Sequence, residues 1–341
     1  MRKIFLFAPL LFFVSLFAFA QDAQQQFAQL GDFKLQSGEV IKDCRIGYRT
    51  FGKMNAAKSN IVLVDIWFGG KSENMATSFG PGGMVDAAKY FVVTIDPIGN
   101  SVSSSPSNST LQPHMKFPQF TMADIINTQH EVLTKFLHIN HIYAVTGASM
   151  GGMQTFQWMV SYPDFMDKAI PVVGSPRLGS YDLVLWQLQN DVVMNDPAWK
   201  NGEYTENPTK LELGEIGALV LRTPHHFNHE HSREQVPDLL HHFEIDPTMD
   251  ANDHIRTTQA VMSLDVSAPF GGSIEKAAAT VKAKTLIIVS LDDHTVSPDA
   301  ALNFADLIHA QVIKLGSDCG HQSSACDGGQ TNTAVAQFLA Q

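Results

Sequence analysis

A chain of 341 residues that is 44% apolar and 17% charged can bury a large core, which excludes a disordered protein and leaves room for one large domain or two ordinary ones. Lys and Arg number 23 against 34 for Asp and Glu, a net charge of -11, and no basic run is present to neutralise phosphates, so no nucleic acid partner is expected. Three cysteines are too few for a disulfide framework, and stability has to rest on the core.

The first twenty residues, MRKIFLFAPLLFFVSLFAFA, set Arg2 and Lys3 before a Leu/Phe-rich stretch that ends in Ala18-Phe19-Ala20, followed by polar QDAQQQ. Residues 1–20 read as an export signal cut after Ala20, which sends the protein to a periplasm or the medium. An uncleaved anchor is the alternative, because Ile4 to Ala20 approaches the lower length for spanning a bilayer. No later segment is apolar enough, so no stable membrane insertion is expected after cleavage.

Strand-like runs then recur: KLQSG from Lys34, CRIGYRTF from Cys44, NIVLVDIWF from Asn60, YFVVTID from Tyr90, HIYAVTG from His141, KAIPVVG from Lys168, KTLIIVS from Lys284 and QVIKLG from Gln311. From Asn60 onward they are near-continuous apolar segments, as strands covered on both faces require, and helical patterns such as TMADIINTQHEVLTKFL, with Thr121 as its cap, separate them. A mostly parallel, doubly wound α/β sheet of about eight strands is expected. Residues 21–177 and 265–341 form its two parts. Between them, 178–264 lack a clear strand and carry the helical pieces YDLVLWQLQNDVVM, LELGEIGALVLRT, SREQVPDLLHHF and ANDHIRTTQAVMSL. An insertion at that point stands over the carboxyl edge of the sheet and reads as a lid. Cys44, inside a strand-like run, reads as a small buried apolar residue.

Gly147-Ala148-Ser149-Met150-Gly151 satisfies GxSxG with a strand before it and a helix after it. That context makes Ser149 the candidate nucleophile. A serine hydroxyl needs a base and an acid residue that orients the base, in the chain order Ser, Asp, His. KTLIIVSLDDHTVSP ends a strand in two acidic residues, of which Asp293 is chosen and Asp292 stays a competitor. SDCGHQSSACDG then offers His321 as general base. The oxyanion requires two backbone N–H donors. Met150, next after the serine, is one candidate, and Phe68, before Gly69-Gly70 at the end of a strand, is the other. Cys319 and Cys326 flank His321, as a bridge or as two free thiols.

His225, His226, His229, His231, His241 and His242 crowd the insertion. Their spacing matches no closed site and no cysteine joins them in sequence, so no metal is expected, and the serine chemistry calls for no cofactor.

FPQFTMADIINTQHEVLTKFL, then HIYAVTGASMGGMQTFQWMVSYPDFMDKAIPVVGSPR, then NDPAWKNGEY resemble homoserine O-acetyltransferases of the α/β-hydrolase superfamily. The likeness runs from about residue 30 to the end, and the GGMQ after the serine and the DPxWxxGxY in the insertion are particular to that group. It implies an α/β-hydrolase fold, a Ser149–Asp293–His321 triad, an acyl group carried by the serine from a thioester donor, and a homodimer through the lid. Two substrate-pocket positions depart from the pattern. Asn190 stands where these transferases carry an arginine for the acceptor's carboxylate, and Gln322 where they carry an aspartate near its ammonium group. Without those charges a zwitterionic acceptor would be buried unpaired, and a neutral substrate fits better. Export separates the chain from acetyl-CoA and homoserine, so water becomes the acceptor. The expectation is an exported hydrolase of a small carboxylic ester or thioester. An O-acyltransferase using an acyl-CoA donor is the alternative, and an inactive binding protein on this fold the third reading.

Overall fold

The computed structural model describes residues 24–208, 210–245 and 249–341; the export signal read at 1–20 lies outside them. The described residues form β1 (Gln26–Lys34), β2 (Val40–Phe51), β3 (Ile61–Asp65), β4 (Phe91–Ile95), β5 (Ile142–Ala148), β6 (Met166–Val172), β7 (Lys284–Ser290) and β8 (Gln311–Leu315). These strands make one eight-stranded sheet in the order β1-β2-β4-β3-β5-β6-β7-β8. β1 runs antiparallel to β2 and β2 to β4, and every pairing from β4 to β8 is parallel. This is the α/β-hydrolase fold. The central strands owe their place to composition: β3 reads IVLVD and is buried at all five positions, as a strand covered on both faces must be.

One strand starts earlier than its pattern suggests. KLQSG lies at the end of β1 and in the turn beyond it, while the strand itself is QFAQLGDFK. Its register slips at Gly31, which breaks the alternation that would have marked it. Cys44 pairs with Gly31 in β2 and is fully buried, and burial pushes its thiol up to about 12.

Around the sheet lie α1 (Met122–Glu131) and α2 (Met150–Ser161). Thr121 caps α1 by accepting from the Asp124 N–H, and the Thr121 N–H donates in turn to the Asp124 carboxylate. Within the 178–264 insertion between β6 and β7 the described residues form α3 (Ser180–Asn195), α4 (Lys210–Leu221), α5 (Pro224–Glu230), α6 (Val236–Ile245) and α7 (Ala251–Met262). α8 (Ile274–Ala278), α9 (Asp299–Ile308), α10 (Ser323–Cys326) and α11 (Gly328–Ala340) complete the chain.

The insertion sits on loops that leave the carboxyl ends of strands. The Ser297 N–H donates to Asp182 at the start of α3, Thr295 Oγ1 donates to the Val220 carbonyl of α4, and Thr223 Oγ1 donates to the Asp318 carbonyl after β8. On the other side Ser107 donates to Asp253 of α7, and Arg256 donates to the carbonyls of Met115 and Phe117. Among the described residues no helix is long and apolar enough to cross a membrane.

Candidate active site

β5 ends at Ala148 and α2 begins at Met150, so the whole change of direction falls on Ser149. Its backbone is forced to φ 58, ψ -120, a strained region for a residue with a side chain. The bonded path is held on both sides, with the Ser149 N–H on the Val172 carbonyl at 2.9 Å and the Met153 N–H on the Ser149 carbonyl at 3.0 Å. The turn closes only because its glycines touch. A Cβ on Gly147 would lie 2.6 Å from the Gly151 carbonyl carbon, and one on Gly151 would lie 2.6 Å from the Asp65 carbonyl oxygen.

Ser149 Oγ lies 2.8 Å from His321 Nε2, and His321 Nδ1 lies 2.6 Å from Asp293 Oδ2. The second carboxylate oxygen of Asp293 accepts from the N–H groups of Thr295 and Val296, each at 2.8 Å. Asp293 and His321 are buried while Asp292 is exposed, so of the two adjacent carboxylates the structure brings Asp293 to the histidine. The His321 loop is tied down by Ser323, whose hydroxyl donates to the Gly320 carbonyl and receives a bond from Ser290 at the end of β7. Such a line can move one proton from the serine to the imidazole while the carboxylate balances the charge that forms.

The two candidate oxyanion donors share this end of the sheet. Met150 is the first residue of α2, where an N–H has no acceptor within its own helix. Phe68 is three residues past Asp65, and Asp65 pairs with Gly147 two residues before the serine, so the loop after β3 runs beside the turn after β5. Gln154 holds that loop. Its Nε2 donates to the Ile66 carbonyl at 2.8 Å, and its Oε1 receives a bond from Gln129, which itself accepts from Trp158. Asn100 steadies the loop's far end by donating to the Gly70 carbonyl. Gln154 was visible in sequence only as the last letter of GGMQ. Beneath the turn Asp65 is fully buried, and burial holds its carboxyl well above the usual range.

Of the substrate-pocket candidates, Asn190 is buried on α3 with Nδ2 3.9 Å from Met262 Sδ, and Gln322 is half-buried directly after His321. Trp186 and His254 were not singled out from sequence, yet both rings lie 5.2 Å from the Phe68 ring. Cys319 and Cys326 form a disulfide around His321. The histidine-rich segment builds α5 and part of α6, and the expectation that no cysteine joins it is corrected by the fold: His226 Nδ1 lies 3.5 Å from Cys319 Sγ and 3.0 Å from Asp318. The segments are far apart in sequence and meet because α5 rests on the loop after β8.

Residues 78–324 match the family described as the alpha/beta hydrolase fold. A probable esterase of Corynebacterium glutamicum is 30% identical over 305 residues, covering 85% of this chain and 85% of its own. A homoserine O-acetyltransferase of Methanosalsum zhilinae is 30% identical over 351 residues, covering 90% of this chain and 71% of its own. The solved structure of an acetylester hydrolase from Corynebacterium glutamicum superposes with a TM-score of 0.87 at 26% identity, covering 93% of this chain and 96% of that one. The chain therefore belongs to the α/β-hydrolase family. Within it the chain is an enzyme of the serine esterase and acyltransferase kind, and it is similar to homoserine O-acetyltransferases.

Proposed function

We propose that this enzyme is an exported ester hydrolase that transfers a short acyl group through Ser149 to water. Ser149 Oγ attacks the ester carbonyl as His321 Nε2 takes the hydroxyl proton, and Asp293 holds the Nδ1 proton and balances the imidazolium. The N–H groups of Met150 and Phe68 receive the oxyanion. The tetrahedral adduct expels the alcohol with the proton from His321, leaving an acyl-serine. Water, deprotonated by the same imidazole, then releases the acid and restores the serine.

The observation that carries water as acceptor is the buried, uncharged Asn190. The resembling transferases use a charge at this position, and a zwitterion brought here would be desolvated without a partner. The leader read at residues 1–20 supports the same conclusion, because it takes the chain away from acyl-CoA pools. Acetyl and other short acyl groups are the substrate class, in keeping with the acetylester hydrolase of similar fold. The likeness to homoserine O-acetyltransferases supports a second reading, in which a hydroxyl compound replaces water. Two copies of the chain pair through the exposed face of α3.

The test is a partition experiment. Residues 21–341 are given phenyl acetate or acetyl-CoA with increasing homoserine, and acetate and O-acetylhomoserine are measured separately. Acetate alone is expected at every homoserine concentration, and growth of O-acetylhomoserine at acetate's expense establishes the transferase instead. Ser149→Ala is expected to remove turnover with an unchanged thermal melt; a variant that still hydrolyses phenyl acetate at the parent rate overturns the serine mechanism.

A further inference from the structure

Two backbone N–H groups make an oxyanion hole only if they converge on one point, so the protein has to set their separation. Here they come from different elements. Met150 opens α2, and Phe68 is the second residue of a turn from Trp67 to Gly70, closed by the Gly70 N–H on the Trp67 carbonyl at 3.0 Å with Gly69 at φ 71. Gly151 rests on the Asp65 carbonyl and brings α2 up against β3. What joins α2 to the turn itself is one side chain. Gln154 is fully buried one helical turn past Met150, and its Nε2 donates to the Ile66 carbonyl at 2.8 Å and to the Met150 carbonyl at 3.2 Å. One amide therefore spans from the residue that carries one donor to the segment that carries the other.

The orientation of that amide is fixed by partners that cannot invert. Trp158 Nε1 can only donate, so Gln129 turns its carbonyl oxygen to it at 2.9 Å and its amide nitrogen to Gln154 Oε1 at 2.7 Å. Gln154 is left with its nitrogen toward Ile66, whose carbonyl can only accept. All three side chains are fully buried, so no solvent competes for these groups. Beyond the turn, the Ser72 N–H and Asn100 Nδ2 both donate to Asp96 Oδ1, at 2.8 and 2.9 Å, and anchor the loop's exit. The turn hangs between two buried anchors, and Gln154 is the one that belongs to the helix of the serine.

We propose that Gln154 is a positioning residue of the oxyanion hole, which sets the spacing of the Met150 and Phe68 N–H groups from behind, while Gln129 and Trp158 set Gln154. This rests on the ester hydrolase reading and adds the group that aligns its two donors. Acylation and deacylation both pass through an oxyanion, so the brace acts on kcat and leaves binding of the uncharged ester alone.

The experiment follows phenyl acetate hydrolysis by residues 21–341, Gln154→Met and Gln154→Glu, with a thermal melt of each at every pH used. Gln154→Met keeps the length and removes the amide; its kcat is expected to fall roughly tenfold or more, with KM within about twofold of the parent. Affinity for a benzyl trifluoromethyl ketone, whose serine adduct carries the oxyanion, should fall by the same factor as kcat/KM. Gln154→Glu keeps the shape and serves where the methionine variant fails to fold. Protonated, its carboxyl donates to Ile66 and accepts from Gln129 as the amide does; ionised, it opposes the Ile66 carbonyl with a second acceptor. Its kcat should therefore show a falling alkaline limb that the parent lacks, with an unchanged melt. A folded Gln154→Met with the parent kcat overturns the proposal, as does a loss carried by KM, a ketone affinity that holds while kcat/KM falls, or a Gln154→Glu whose kcat tracks the parent across pH. If the parent enzyme does not hydrolyse phenyl acetate, it is the hydrolase reading that has failed, and the proposal falls with it.

Discussion

His254 sits on α7 with its ring edge-on to Phe68, and burial pulls its imidazole down to about 4. The unfolded chain holds the same group near 6.5, so above that value both states are neutral and nothing is lost. As pH falls from about 6.5 to 4, the unfolded state takes a proton that the folded state refuses, and stability drops by up to about 3 kcal/mol. Asp253 works in the opposite sense. Burial raises it to about 7, so its contribution is full in acid and is lost as pH rises from about 4 to 7. The difference between parent and His254→Phe isolates the histidine: urea midpoints of the two should separate steadily below pH 6.5, and parallel curves would show that the imidazole is not buried neutral. Single residues are also where sequence reading met its limit. SLDDHTVSP announces an acidic loop, but which carboxylate faces inward depends on the N–H groups of Thr295 and Val296, which bond Asp293 and leave Asp292 in solvent. Trp186 and His254 were illegible for a different reason, since nothing local separates a core aromatic or histidine from one that packs on the Phe68 ring.

On α3 the two faces have different work. Leu185, Trp186, Asn190 and Val193 are buried, while Tyr181, Val184 and Leu188 are 58%, 71% and 47% exposed along the outer side. Such a stripe is what a second copy of the chain would cover, and Val184→Asp is expected to convert a dimer into a monomer in sedimentation equilibrium. A parent protein that sediments as a monomer at micromolar concentration removes the pairing. The loop from Cys319 to Cys326 is the second element whose role can be measured. Closing so short a loop stabilises by about 2 kcal/mol through the unfolded chain. Cys319→Ser with Cys326→Ser should lower the melting temperature accordingly and reduce kcat, because His321 lies inside the loop; an unchanged kcat would show that Ser323 and Asp293 suffice to hold it. Among the elements, the buried strands and α1 with its Thr121 cap were legible because their periods and caps are local. β1 was misplaced by the Gly31 irregularity, and α5 was hidden in a run of histidines without an apolar stripe.

At the scale of the whole molecule the alternation of strands and helices was enough to announce a parallel α/β sheet. The order β4-β3-β5 was not, because strand neighbours are chosen by crossovers that leave no mark in any one segment. The meeting of His226 with Cys319 was hidden for the same reason. The insertion binds the two parts of the sheet together, through Asp182, Val220 and Thr223 on one side and Asp253 and Arg256 on the other. It also sets the order in which chemistry becomes available. Ser149 and His321 are 172 positions apart, and both the base and its aspartate belong to β7, β8 and their loops, the last part of the sheet to leave the ribosome. A domain folds as a unit, and contacts this distant in sequence close late. The catalytic line therefore closes only once β7, β8 and their loops are in place, and a chain cut short before them would hold the serine without its base.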